Sequence, residues 1–111
     1  MATTYKILGQ LAPAANVSGG TTLYSPSTGS AVISTISVCN RASTAATYRI
    51  AIRQAGAALA DRQYLVYDAS IPGGTTTTYT NGITLAATDV VTVVASTANL
   101  TFQAFGSEIG A

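Results

Sequence analysis

The chain has 111 residues, enough for a single domain, and 48% of them are hydrophobic whereas only 8% are charged. Charged residues make up about 25% of an average soluble domain, so Thr, Ser, Ala and Gly must cover most of this surface. Five basic and four acidic residues give a net charge of +1, without the basic field that a nucleic-acid partner requires. So little charge repulsion favours association with other copies or other proteins.

The same composition predicts one domain covering residues 1–111, without a membrane segment. No apolar run approaches the roughly 18 residues of a transmembrane helix. The opening MATTYKILGQ lacks a basic region followed by an apolar one, so we expect no export from the cell that makes it. Cys39 is the single cysteine, which excludes an internal disulfide and a cluster of thiol ligands.

Short strands separated by turn residues are predicted along the first half of the chain. A β-prone segment at residues 3–8 leads through a loop rich in Ala, Gly and Pro to a short strand at 22–25. Apolar residues recur with a period of two in AVISTISVCN, residues 31–40, which places Val32, Ser34, Ile36 and Val38 on one face. The clearest alternation is in TYRIAIR, residues 47–53, which predicts one buried and one wet face.

The second half continues the pattern. The small-residue stretch 54–60 is predicted to be a loop, and Asn81-Gly82 is the type of pair that permits a tight hairpin. Strands are predicted at residues 61–68, 75–80, 83–85, 90–96 and 100–105. About eight short strands recur every ten residues or so, without a helical period. We therefore predict an all-β, antiparallel β-sandwich that is jelly-roll-like.

One face of each strand supplies the predicted core. Alternation within the strands selects the bulky apolar positions on that face. They are Ile33 or Val32, Ile36, Val38, Tyr48, Ile50, Ile52, Tyr64, Val66, Ile83, Leu85, Val91, Val93, Leu100 and Phe102.

The residue inventory argues against catalysis. The chain has no histidine, and Asp61 and Asp68 flank one predicted strand rather than forming an acid–base pair. No His or Lys lies near Cys39 in the sequence, and Asp89 is placed as a turn residue that bonds its own backbone. We expect no catalytic residues, no metal site and no cofactor.

Several segments resemble a known group of proteins. MATTYKILGQLAPAA, STISVCNR, TYRIAIR, AGAALA, GITLAATDVVTV, ASTANL and FGSEI resemble small virion structural proteins of tailed bacteriophages, especially of cyanophages and other marine phages. The resemblance covers nearly the whole chain and carries no active-site signature. It implies a component of the virion that is assembled in the host cytoplasm, and not an enzyme.

Three roles are compatible with that resemblance. A capsid decoration or cement protein would be a homo-oligomer, with a trimer favoured, bound to the major capsid protein. An accessory protein of the tail, neck or baseplate would have the same composition. A fibre-associated module that binds a host glycan would instead display Tyr24, Tyr67 or Tyr79 clustered at one end of the sandwich.

In the first two roles, unpaired strand edges and small-residue faces would be buried against neighbouring subunits. Arg49 and Arg53 share the wet face of one strand, where they could meet a carboxylate or a phosphate of a partner. An ion pair with Asp61, Asp68 or Glu108 of the same chain is the simpler explanation of these two arginines. For Ile7 and Phe105 the alternative interpretation is that both are core residues. The candidate interface residues are Tyr5, Lys6, Ile7, Arg49, Arg53, Phe105, Glu108 and Ile109.

Overall fold

The computed structural model describes residues 3–110, which form two packed antiparallel sheets. Two 3₁₀ turns, Gln54–Gly56 and Asp61–Gln63, lie between the fourth and fifth strands. No helix within the described residues is long and apolar enough to cross a membrane. The strands are β1 (Thr3–Leu11), β2 (Thr21–Tyr24), β3 (Ser30–Asn40), β4 (Ala46–Arg53), β5 (Tyr64–Ile71), β6 (Thr76–Tyr79), β7 (Ile83–Ala86), β8 (Val90–Ala95) and β9 (Leu100–Ile109).

The strand order is that of a jelly roll. The first sheet has the order β1-β9-β3, with β6 and β7 both paired to the far side of β3, and the second has the order β2-β8-β4-β5. When β6 and β7 are counted as halves of one interrupted strand, eight strands form two four-stranded sheets in the jelly-roll arrangement. The predicted all-β sandwich is confirmed.

The hairpin predicted at Asn81-Gly82 is wrong. Strands β6 and β7 do not pair with each other but follow one another along β3, with Tyr79 opposite Ile36 and Ile83 opposite Ile33. A hairpin of two four-residue strands would leave this side of the eleven-residue β3 unpaired, whereas the observed arrangement pairs both of its ends. Gly82 adopts a positive φ of 65° within the interruption.

A bulge in β3 changes which of its residues face the core. Its register with β9 shifts between Ile33 and Thr35. Ala31 and Ile33 are therefore buried before the bulge, and Ile36 and Val38 after it. The predicted common face is wrong for Val32 and Ser34, because one inserted residue reverses the alternation.

Apolar side chains from the inner faces of both sheets form one core. Of the predicted core residues, Ile52 and Ile83 are partly buried against it, and Tyr64 lies outside it on the outer face of the second sheet. The prediction missed Leu23, Tyr24, Ala31, Ala46, Ile71, Ala95 and Ala104. Those confirmed as buried are Ile33, Ile36, Val38, Tyr48, Ile50, Val66, Leu85, Val91, Val93, Leu100 and Phe102.

The strand predicted at residues 61–68 begins later than expected. Gln63 Oε1 accepts a hydrogen bond from the Ala60 amide at 2.8 Å, and its Nε2 donates to the Ala58 carbonyl at 3.0 Å. These bonds stabilise the turn Asp61–Gln63, so β5 starts at Tyr64 and continues to Ile71.

Candidate functional site

Strand β1 has an open edge. Within residues 3–110 it pairs with β9 on one side and with no strand on the other. It is nine residues long, contains no proline, and carries Lys6 as its one charged residue. Proteins usually shorten, charge or cover such edges, because their free backbone groups invite pairing with another chain.

Apolar side chains surround this edge on the outer face of the first sheet. Tyr5 is 83% exposed and Ile7 53% exposed. Ile7 lies opposite Phe105, and a groove of about 580 Å³ runs between β1, β9 and Val32 of β3. Val32 also lines an adjoining depression with Ile109. We call Tyr5, Ile7, Val32, Phe105 and Ile109 the edge patch.

Four of the eight predicted interface residues therefore meet in the edge patch: Tyr5, Ile7, Phe105 and Ile109. The fifth member, Val32, escaped prediction because its alternation with Ile36 made it a core candidate. The bulge in β3 turns Val32 outward, and the Ser34 hydroxyl next to it donates to the Phe105 carbonyl at 3.0 Å.

Lys6 and Glu108 are engaged inside the chain. Glu108 Oε1 accepts from Lys6 Nζ at 3.0 Å, and Oε2 accepts from the Tyr24 hydroxyl at 2.5 Å. The Tyr24 hydrogen bond, followed by those from Lys6, lowers the pKa of Glu108. Burial, followed by the bond to Glu108, raises the pKa of Tyr24. The open edge thus presents no unbalanced charge.

Arg49 lies in the second sheet, at a bulge in β5. The register shifts so that Tyr67 and Asp68 together lie opposite Arg49, and Asp68 takes a positive φ of 53°. Arg49 Nε donates to Asp68 Oδ1 at 2.6 Å and Nη2 to Oδ2 at 3.1 Å. This two-pronged bond raises the pKa of Arg49 and lowers that of Asp68. The guanidinium also lies 4.1 Å from the centre of the Tyr67 ring.

Arg53 has a structural task. Its Nε donates to the Ala57 carbonyl at 2.8 Å and its Nη2 to the Gly56 carbonyl at 3.0 Å, which fixes the loop that follows β4. Both arginines belong to the second sheet, so the structure does not bring them together with the edge patch, which lies on the first.

A polar cleft of about 270 Å³ lies on the outer face of the second sheet. One wall is the loop at residues 16–19, and the other is formed by Leu59 and Tyr64. Sequence reasoning missed this cleft because the bulge and the loop that shape it leave no periodic signal. Arg49 on a wet strand face was its one indication.

The predicted cluster of exposed tyrosines does not form. Tyr24 is buried, and the Tyr79 hydroxyl hydrogen-bonds the hydroxyl of Tyr48 between the sheets. Tyr67 is 58% exposed and packs edge-on against Tyr64, with ring centres 4.9 Å apart. Each of the three lies in a strand, as the sequence predicted, and the strands place them apart from one another rather than at one end of the sandwich.

Turn chemistry at Asp89 is as predicted. Its Oδ2 accepts from the Ala86 amide at 2.9 Å, and its Oδ1 accepts from the Ala55 amide at 2.8 Å. No group of three His, Cys, Asp or Glu residues in the described part of the chain is placed to hold a metal ion.

Comparisons of the chain with protein-family models, with curated proteins and with solved structures found no match. The edge patch and the polar cleft are therefore interpreted from their own geometry.

Proposed function

We propose that this chain is a non-enzymatic structural protein of a bacteriophage virion, an oligomeric decoration protein that associates through β1. The observation that supports this proposal is the coincidence of an unpaired strand edge with the edge patch. The edge supplies backbone donors and acceptors, and the patch supplies apolar area beside them. A strand of a neighbouring subunit would hydrogen-bond the backbone groups of the edge and cover the apolar side chains of the edge patch.

The energetics favour an assembly with many weak contacts. Burying a side chain such as Ile7 contributes roughly 1.5–3 kcal/mol, so one edge gives a modest contact. Repetition over an oligomer multiplies the effect, since each further contact is made at a high effective concentration. The near-neutral surface, with a net charge of +1, adds little repulsion between copies.

The virion as the location rests on the resemblance to phage structural proteins. The jelly roll is compatible with this, since it occurs in viral capsid proteins, but it also occurs in lectins and cupins and does not by itself select a function. The proposed partners are further copies of this chain and the major capsid protein. A tail, neck or baseplate position would use the same edge.

Cryo-electron microscopy of particles that carry this protein tests its location. Copies spread over the icosahedral shell, with β1 at a subunit contact, are the expected result. A small ring of copies at the neck or baseplate would contradict shell decoration and favour the accessory role. Copies with β1 facing solvent would contradict the proposed mechanism in either position.

Self-association is tested in solution with a matched pair of variants. Ile7→Lys places a charge on the open edge, and Leu65→Lys makes the same change on β5, one of the two edge strands of the second sheet. The two side chains are similarly exposed, at 53% and 46%. Sedimentation should show self-association weakened at least tenfold, or about 1.4 kcal/mol, by the first and unchanged by the second. Equal effects, or none, would refute association through β1.

A further inference from the structure

The polar cleft has the construction of a small-molecule site. Thr47, Arg49 and Val94 form its floor on the second sheet, while Asn16 and Ser18 lie on the loop side. The Asn16 amide donates to the Ala95 carbonyl at 2.8 Å and its side chain to the Ser96 carbonyl at 3.3 Å, so the loop is fixed to the end of β8. The walls are therefore held in place before any ligand arrives, which reduces the entropy lost on binding.

Hydrogen-bonding groups in the cleft are also held in place. The bulge presents both oxygens of the Asp68 carboxylate to the Arg49 guanidinium, and Tyr67 packs against that guanidinium. The bonds to Asp68 use only two of the five N–H groups of the Arg49 guanidinium, and each carboxylate oxygen keeps a free lone pair. Donors and acceptors thus sit side by side at fixed positions, an arrangement that matches adjacent hydroxyl groups.

Charge selects the class of ligand. Among the described residues that line the cleft, Arg49 and Asp68 are the charged pair, and they cancel. A phosphate or a carboxylate would have to compete with Asp68 for Arg49. A neutral ligand rich in hydroxyl groups meets no such competition, and its C–H surfaces have Val17, Leu59 and the Tyr64 ring to pack against.

The volume of the cleft limits how many sugar rings it can hold. The volume of about 270 Å³ is just below the roughly 300–1,000 Å³ of typical small-molecule pockets, which suits one sugar ring. A second depression, lined by Asp61, Tyr64 and Tyr67, adjoins it through the shared Tyr64 ring. It gives the next ring an aromatic contact, and the Asp61 carboxylate there disfavours an anionic one.

We infer that the polar cleft binds a neutral glycan, with one ring against the Arg49–Asp68 pair and the next ring beside Tyr67. The site lies on the sheet opposite the edge patch, so it does not rest on the proposed association through β1. A subunit held by its first sheet leaves the cleft free to bind sugar.

The test is a titration of the ¹⁵N-labelled full chain, followed by amide chemical shifts, with lactose, maltose, cellobiose and 3′-sialyllactose. At least one neutral disaccharide should shift the amides of Thr47, Arg49 and Asp68, with millimolar affinity and with no shifts at the edge patch. Absence of shifts with all three neutral sugars overturns the inference. Tighter binding of 3′-sialyllactose overturns the neutral class.

Two variants and one control locate the site. Asp68→Asn keeps the side-chain shape and tolerates the positive φ, but it removes the charge that orders Arg49. Tyr64→Leu removes the ring shared by both depressions, and Tyr5→Ser changes only the opposite sheet. Asp68→Asn and Tyr64→Leu should weaken binding at least tenfold, and Tyr5→Ser should bind like the unmodified chain.

If Tyr64→Leu fails to fold, Asp68→Asn alone tests the location of the site. This variant should fold, because the Asp68 side chain is exposed and does not support the core. Unchanged affinity in Asp68→Asn overturns the site. The Ile7→Lys variant should still bind the neutral disaccharide, whatever its oligomeric state. Its titration therefore separates sugar binding at the cleft from association through β1.

Discussion

The Tyr24 hydroxyl donates a hydrogen bond to Glu108 Oε2 across the sandwich, at 2.5 Å. Tyr24 belongs to the second sheet and Glu108 to the first, so this bond joins the sheets along the side that carries the open edge of β1. Lys6 of β1 binds the other carboxylate oxygen at 3.0 Å. Two residues predicted to be interface charges thus hold the edge strand to its own core.

Replacing Tyr24 by Phe should lower the free energy of unfolding by about 1.5–3 kcal/mol, because a partly buried carboxylate loses a charged hydrogen bond. Urea unfolding measures the change. Tyr5→Phe also removes a hydroxyl, but from a side chain that is 83% exposed, and its effect should stay within about 0.5 kcal/mol. Equal stability of the two variants would show that the bond contributes nothing.

Alkaline pH should weaken the same bond. The folded chain holds the pKa of Tyr24 above its ordinary value of 10.0, chiefly through burial. A group whose pKa is raised by folding contributes its full stabilisation below the unfolded pKa and loses it as the pH rises toward the folded pKa. Urea midpoints should therefore fall above about pH 10, and fall less in Tyr24→Phe. Parallel pH curves for the two proteins would contradict this account.

Asn40 should be the most sensitive polar residue of the core. It is fully buried, its Nδ2 donates to the carbonyls of Thr44 and Ile71, and its Oδ1 accepts from the Ala42 amide. Asn40→Ala removes these three hydrogen bonds, at about 1–3 kcal/mol for each backbone group that is left buried without a partner. We expect a loss of at least 3 kcal/mol in urea unfolding.

Asn99→Ala is the control for that experiment, since Asn99 is an exposed turn residue and should change stability by less than about 0.5 kcal/mol. A small effect in both variants would mean that water replaces the Asn40 side chain.

Alternation carried most of the fold prediction. Strand β4 shows the clearest period of two, and β3, β4 and β8 were each placed within one residue of their observed bounds. The recurrence of turns every ten residues or so was sufficient for the jelly-roll class. A local sequence pattern does not show which strands pair when the partners are far apart in the chain. Nothing in TTTTYTNGITL indicates that β6 and β7 both pair with β3 rather than with each other.

Some residues of the candidate sites could likewise be identified from local sequence, and others could not. Tyr5, Ile7, Phe105 and Ile109 were identifiable because the terminal segments are β-prone and apolar, and the pairing of β1 with β9 brings them together. Val32 and the polar cleft depend on bulges, which insert one residue and reverse the facing of all that follow. Asn40 ends a predicted strand, and no local pattern indicates that its side chain closes the following turn from inside the core.

The glycines of β9 and of the interrupted strand provide a last, paired prediction. A Cβ on Gly106 would clash with the Val32 carbonyl oxygen, so β9 and β3 pack too closely for any side chain there. A Cβ on Gly82 would meet nothing within 4 Å, although the positive φ of 65° disfavours other residues.

Gly82→Ala should therefore cost only the backbone strain, about 1–2 kcal/mol. Gly106→Ala must separate two central strands of the first sheet, and we expect a loss above about 3 kcal/mol or failure to fold. Urea unfolding of the two variants compares them directly. If Gly106→Ala were no less stable than Gly82→Ala, the close approach of β9 to β3 at the bulge, and with it the outward position of Val32 in the edge patch, would be refuted.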